Sequence, residues 1–241
     1  RVETLHMDDI TFKLGDVRSQ VSGSIERYSD APKINVNYHL PETQVQSIVE
    51  AVPHALKPKL QGVQLQGSFA WNLDVSLDTA DMETFHYVTE PKLKGYRVKS
   101  MGDSVNFNLV RGQFLQVVEE PNGDVLKFVT GPGAEDWVSY PDISPWMTEV
   151  IGTTEDGRFF KHNGFSEYNI KESIITNLEK GGYYRGASTI TQQLVKNLFL
   201  SREKTLARKI QEFFITWEME KNFKKEDILA LYFNVIEFGQ D

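Results

Sequence analysis

The 241-residue chain contains no cysteine. Disulfides, thiolate metal sites and a cysteine nucleophile are therefore excluded, and the lack of a stray thiol fits an oxidising compartment. No run approaches the roughly 18 apolar residues of a membrane-spanning helix. Residues 1–9 lack the apolar stretch of a signal peptide. The chain as it stands is expected to be soluble, or a piece cut from something larger. Positive charge is also short: 26 Lys and Arg face 34 Asp and Glu, a net charge of −8. That is the opposite of the basic footprint of a general nucleic-acid binder, so no nucleic-acid partner is expected.

What is present is ordinary globular composition, with 40% hydrophobic and 25% charged residues. The charge is unevenly placed. Residues 1–151 hold 13 basic and 21 acidic side chains, and residues 152–241 hold 13 of each. A balanced C-terminal part can still gather positive charge locally for an anionic group.

The hydrophobic period changes along the chain. Ile34, Val36, Tyr38 and Leu40 alternate with polar residues, and Val63, Leu65, Phe69, Trp71, Leu73, Val75 and Leu77 do the same. Period two predicts strands with one buried face. Gly67 marks a bend or bulge within the second run. Shorter strands are predicted at Phe85–Val88, Tyr96–Lys99, Val105–Val110 and Val125–Val129, with a turn at Asn122-Gly123. Residues 42–52 read as a short helix stopped at Pro53. Residues 1–135 are thus expected to form a mainly antiparallel β module.

After Tyr140 the period becomes helical. Ser144-Pro145 starts one helix. Ser166 caps a second, carrying Ile170, Ile174 and Leu178 and ended by Gly181-Gly182. A third follows Gly186, with Ile190, Leu194 and Leu198 on one stripe. A fourth spans about 205–222 and presents Leu206, Ile210, Phe213, Phe214 and Trp217 as its apolar face. A fifth starts near Lys225, with Ile228, Leu229, Tyr232 and Val235 as its apolar residues. The boundary lies in the Gly- and Pro-rich stretch 131–141, and the fold class is α+β.

Three groups of residues carry chemistry. Ser188, Gln192 and Lys196 are four apart, so they share one face of a helix just past its start. A helix N-terminus, a hydroxyl, an amide and an ammonium in line suit a phosphate or diphosphate; the wet face of any amphipathic helix looks the same. Lys204, Arg208 and Glu212 repeat that spacing opposite the apolar face of the next helix, which is also the pattern of solvated ion pairs. Glu155 and Asp156 are adjacent carboxylates after the first helix, and a carboxylate within reach of a hydroxyl can act as a general base. His162 has no partner at metal-ligand spacing, so packing or capping is its commoner use.

Four segments in order then resemble the motifs of the peptidoglycan glycosyltransferases, the family of class A penicillin-binding proteins and monofunctional transglycosylases. They are Glu155-Asp-Gly-Arg-Phe-Phe-Lys-His-Asn-Gly-Phe165, Gly186-Ala-Ser-Thr-Ile-Thr-Gln-Gln-Leu-Val-Lys-Asn197, Arg208-Lys-Ile-Gln-Glu212 and Asp227-Ile-Leu-Ala-Leu-Tyr-Phe-Asn-Val-Ile-Glu-Phe-Gly239, with Phe233 where Leu is usual. The resemblance covers about residues 141–241 and implies a helical, lysozyme-like lobe. It implies Glu155 as general base, taking the proton of the acceptor lipid II 4-hydroxyl. That oxygen attacks the anomeric carbon of the nascent glycan strand with inversion, a β-1,4 bond forms, and undecaprenyl diphosphate leaves. Arg158, Ser188, Thr189, Gln192, Gln193, Lys196, Lys204 and Arg208 are the implied substrate and diphosphate ligands, Lys204 standing where Arg is frequent. Glu212 is implied as catalytic support, orienting basic groups or holding a divalent ion, Mg²⁺ or Mn²⁺; the sequence itself requires no cofactor.

The resemblance also implies the periplasmic face of a bacterial inner membrane, with the membrane surface and cell-wall synthesis proteins as neighbours. It implies anchoring by a membrane helix, a segment expected to lie outside this chain. The chain ends inside the fourth-motif region, so the lobe is expected to be incomplete and the fragment inactive. Residues 165–184 correspond to the family's mobile, membrane-facing segment. Their Glu167, Lys171, Glu172, Glu179 and Lys180 restrict them to an interface at most. Residues 21–80 faintly resemble AsmA-like envelope proteins, which implies an envelope-facing module or a simple spacer. Two other classes fit the motifs: a non-catalytic envelope scaffold that has kept their shapes, and a lysozyme-like hydrolase, which would have no use for the diphosphate-binding set.

Overall fold

The computed structural model describes residues 3–102, 104–119, 123–200 and 205–236. The chain divides into two compact units. The first gathers Arg1–Leu56, Gln61–Gly102 and Ile174–Tyr184; the second gathers Lys57–Leu60, Asp103–Ser173 and Arg185–Asp241.

The first unit holds an antiparallel sheet of sequential strands: β1 (Thr4–Leu14), β2 (Val17–Glu26), β3 (Lys33–Gln44), β4 (Val63–Asp78) and β5 (Asp81–Met101). Helix α1 (Val45–Ala51) joins β3 to β4. The alternation read from the sequence is the register itself. Ile34, Val36, Tyr38 and Leu40 pair with Leu77, Val75, Leu73 and Trp71, so one face is apolar. On the other face Asn37 donates to Asp74 at 2.6 Å and Ser76 donates to Asn35 at 2.8 Å.

Several elements differ from expectation, each for a physical reason. The segments at 85–88 and 96–99 are parts of one 21-residue strand. Pro91 lies inside it and is tolerated because β5 is an edge strand. Strands β1, β2 and β6 were not expected. In β1 the register shifts between Met7 and Ile10, and Asp9 has φ of 45°, so the bulge breaks the alternation. Residues 105–110 form no strand. The Asn108 N–H bonds the Asn106 side chain at 3.0 Å, a turn that competes with a ladder, and a 3₁₀ turn follows at Leu109–Arg111. Val105, Phe107 and Val110 are nevertheless buried.

Gly67 has φ of +107°, and the β4–β5 register shifts around it. A methyl group there would lie 2.6 Å from the Lys94 carbonyl oxygen and 2.7 Å from the Tyr96 nitrogen. Gly67→Ala is therefore expected to destabilise the sheet by about 1–3 kcal/mol through backbone strain, read as a lower midpoint in thermal unfolding. A variant that melts with the parent would show that the bulge relaxes freely.

The second unit contains a two-stranded antiparallel sheet, β6 (Phe114–Glu119) and β7 (Val125–Thr130). Its helices are α2 (Pro145–Glu155), α3 (Glu167–Glu179, as far as Ser173), α4 (Ile190–Phe199), α5 (Leu206–Asn222) and α6 (Lys225–Val235). Its core is Ile190, Leu194 and Val195 of α4, Ile215 and Met219 of α5, and Ile228 to Tyr232 of α6. The sheet is tied to the helices by polar bonds: Gln116 donates to the Asn197 carbonyl at 2.9 Å, and Thr130 to the Asn234 carbonyl at 3.5 Å.

Ser144 begins α2 without a side-chain cap bond, whereas Ser166 does receive the Asn169 N–H at 3.1 Å. The α3 stripe of Ile170, Ile174 and Leu178 is exposed, not buried. Helix α5 departs furthest from its sequence pattern. Phe213 is 50% exposed and Ile210 36%, while the buried face carries Gln211, Glu212, Ile215, Thr216, Glu218 and Met219. Periodicity located the helix but chose the wrong face. The polar groups go inward because partners meet them: Gln211 accepts the Lys59 N–H at 2.8 Å, and Glu218 accepts from Lys221 at 3.2 Å. No described helix is long and apolar enough to cross a membrane.

Candidate active site

Two adjacent carboxylates at the end of α2 are sent in opposite directions. The helix stops as the Asp156 N–H bonds the Gly152 carbonyl, with Asp156 at φ −157° and ψ 76°. Glu155, on the last helical residue, is exposed. Asp156 is 1% exposed. The Asp156 carboxylate faces His162 Nε2 at 3.0 Å from each oxygen, and accepts the Ile190 N–H at 3.2 Å and the Asn169 amide at 3.5 Å. It thus places negative charge at the N-terminus of α4, where the helix dipole favours it, and holds the first motif against the second. His162 packs edge-on to Phe159 as well, with ring centroids 6.3 Å apart.

Helix α4 starts at Ile190 with Thr189 as its cap. Thr189 accepts the Gln192 N–H at 3.3 Å, Gln192 accepts the Thr189 N–H at 3.0 Å, and the Thr189 hydroxyl donates to the Gly164 carbonyl at 2.7 Å. This corrects the expected start just after Gly186. Ser188 precedes the cap, so it is not on the helical stripe with Gln192 and Lys196. It is linked to Gln192 through Lys209, whose ammonium donates to the Ser188 hydroxyl at 3.1 Å and to Glu212, the acceptor of Gln192.

Around Glu212 the structure builds a cationic cluster. Glu212 is 2% exposed, and its two oxygens accept from Arg208, from Lys209 and, at 3.3 Å, from Gln192. A buried carboxylate held by two cations is satisfied, and the side chains of Arg208, Lys209 and Glu212 sum to one positive charge. Lys196 lies half-buried one turn beyond Gln192. Arg158 lies elsewhere, with its guanidinium 4.1 Å from the centre of the Tyr168 ring. Lys204, and residues 237–239 of the fourth motif, lie outside the described residues.

Gln193 turns to a second cluster. Its side-chain amide donates to Glu155 at 2.8 Å, and its carbonyl oxygen accepts from the Tyr232 hydroxyl at 3.1 Å. Tyr232 comes from α6 and is 1% exposed. Neighbouring residues on α4 therefore serve two carboxylates: Gln192 donates to Glu212, which also accepts from Arg208 and Lys209, and Gln193 donates to Glu155. A groove of about 630 Å³ on another face, walled by Arg111, Trp137, Tyr140 and Phe223, contains none of these residues.

The site fits a divalent ion poorly. Both Glu212 oxygens already face cations, and among the described residues no three His, Asp or Glu side chains gather as metal ligands. Three residues escaped the sequence reading. Asp156 was noticed only as the neighbour of Glu155, Lys209 was hidden beside Arg208, and Tyr232 was counted as apolar core. The signal for Lys209 was its spacing of three from Glu212; the burial of Asp156 and the bond from Tyr232 to Gln193 had none.

Residues 122–241, about half of the chain, match the model of the family described as Transglycosylase. The chain is 48% identical over 103 residues to a protein named biosynthetic peptidoglycan transglycosylase from Nitrosospira multiformis, covering 43% of this chain and 45% of that one. It is 38% identical over 128 residues to penicillin-binding protein 1B of Escherichia coli, covering 53% of this chain and 14% of that protein. With penicillin-binding protein 1A/1B of Bacillus subtilis the identity is 36% over 136 residues, covering 56% and 15%. The chain spans less than half the length of each of these relatives. Through residues 122–241, which carry the four motif segments, the chain belongs to the transglycosylase family.

Proposed function

We propose that this chain carries catalytic machinery of a peptidoglycan glycosyltransferase that polymerises lipid II into β-1,4 glycan. The observation that carries the reading is the division of labour on α4. An exposed carboxylate, Glu155, is held by Gln193, and the preceding residue, Gln192, donates to Glu212, the carboxylate that gathers Arg208 and Lys209. Glu155 takes the proton from the acceptor 4-hydroxyl, a poor nucleophile near neutral pH. The oxygen attacks the anomeric carbon from the face opposite the leaving group, so the configuration inverts. The C–O bond to undecaprenyl diphosphate breaks as the glycosidic bond forms.

The departing diphosphate gains charge as it leaves and needs fixed donors. Lys196, Ser188, Arg208 and Lys209 supply them in this reading, with Arg158 and Lys204 as further candidates from the motifs. Glu212 orients the cations and is not the base. Side chains meet the diphosphate charge, and no divalent ion is assigned a role. Thr189 fixes the start of α4. The protein works at the periplasmic face of the inner membrane, beside the membrane surface and other cell-wall synthesis proteins, with the sheet of the first unit as an envelope-facing module.

The test is lipid II polymerisation by the protein containing this chain. Lengthening glycan with release of undecaprenyl diphosphate supports the reading. Shortening of preformed glycan would mean a hydrolase, and lipid II binding without turnover a scaffold. Lys196→Ala is expected to weaken donor affinity by roughly tenfold to a hundredfold, the loss of one charge-assisted bond to phosphate. Donor titration of the variant measures it, and an unchanged affinity removes Lys196 from the diphosphate site.

A further inference from the structure

Tyr232 belongs to no group of candidate residues, yet it is the inner end of a hydrogen-bonded chain that reaches Glu155. A carboxylate only accepts, so Gln193 must present its NH₂ group to Glu155. That leaves the amide oxygen facing inward, where the Tyr232 hydroxyl donates to it at 3.1 Å. Each group thereby fixes the direction of the next. Tyr232 itself is buried in α6, with the Phe233 ring edge-on to it and the centroids 6.0 Å apart.

We infer that Tyr232 is a positioning residue for the base: through Gln193 it holds the Glu155 carboxylate in the orientation that receives the acceptor proton. This rests on the assignment of Glu155 above and adds a residue from another helix. Burial, with the neighbouring Glu155 and Asp156 carboxylates, pushes the Tyr232 phenol well above the usual tyrosine range. The hydroxyl therefore stays protonated, and a donor, throughout the working range of a cell-wall enzyme. Without it the Gln193 amide is free to turn over, and the exposed Glu155 side chain regains its rotamers. Gln193 accordingly acts on the base rather than on the diphosphate, which separates it from its neighbour Gln192.

The experiment is steady-state polymerisation of lipid II by the protein containing this chain and by Tyr232→Phe, Gln193→Met and the double variant, with thermal unfolding of each. Tyr232→Phe keeps the ring and is expected to lower kcat about tenfold, the rate equivalent of one orienting hydrogen bond, with KM for lipid II unchanged. Gln193→Met is expected to lose at least as much. The double variant is expected to lose no more than Gln193→Met alone, because both act through one chain. Wild-type kcat in Tyr232→Phe, additive losses, or a change confined to KM would overturn the inference. Gln193→Met carries the test if Tyr232→Phe does not fold: a loss confined to KM then sinks it. Absence of polymerisation by the unaltered protein would instead defeat the assignment of function.

Discussion

Glu155→Gln is expected to slow lipid II polymerisation by roughly 10²–10⁴-fold, the usual contribution of a positioned general base, while lipid II binding stays nearly unchanged. The substitution is close to isosteric, and its carbonyl oxygen can still accept from Gln193. What disappears is the capacity to take up a proton. Glu155 is exposed and bonded to a neutral amide, so its loss leaves no buried partner stranded and the fold is expected to survive. Turnover of labelled lipid II, set beside equilibrium binding of the same substrate, separates the two effects. A fall in binding as large as the fall in rate would remove the carboxylate from the role of base.

The neighbouring carboxylate gives the opposite phenotype. Asp156→Ala is expected to destabilise the second unit by about 3–5 kcal/mol, the cost of removing one partner from a buried charged network. That is a large share of the 5–15 kcal/mol of a typical domain. The Ile190 N–H and His162 Nε2 lose their acceptor in the interior. Asn169 loses a more distant one. Asp156→Asn keeps an oxygen and the shape, so a smaller loss is expected. Denaturant unfolding of the three proteins checks the order. Equal stability of Asp156→Ala and the parent would show that water replaces the carboxylate, and that the start of α4 needs no anchor from the first motif.

These two residues also show how much of the site was legible. Adjacent in sequence and alike in chemistry, they differ only in that the chain leaves α2 after Glu155, at Asp156. No periodicity records that turn, so the motif pointed to Glu155 and passed over Asp156. The helices themselves were readable because their caps and glycines are local signals: the Thr189–Gln192 reciprocal bonds and the Gly181-Gly182 stop lie within a few residues. The strands with clean alternation, β3 and β4, were readable for the same reason. Strand β1 was masked by its bulge, and β5 was cut in two by Pro91, whose acceptability depends on being at an edge. Helix α5 was assigned the wrong buried face because an apolar count cannot see that Gln211 and Glu212 have partners waiting on other segments. The change of period near residue 140 likewise says where helices begin, not which strands pack with them. Residues 103–135 cluster with the helices.

The link between Tyr232 and Glu155 passes through an amide, and an amide does not relay protons at ordinary cost. The inward side of the base is therefore insulated: Gln193 steers the carboxylate without draining it. In the proposed reaction the proton taken from each incoming sugar has to be discharged from the outward oxygen, directly to bulk water. Regeneration of the base between additions then depends on solvent reaching Glu155 after every bond is made. A growing strand that covered the carboxylate continuously would stall the enzyme in its protonated form.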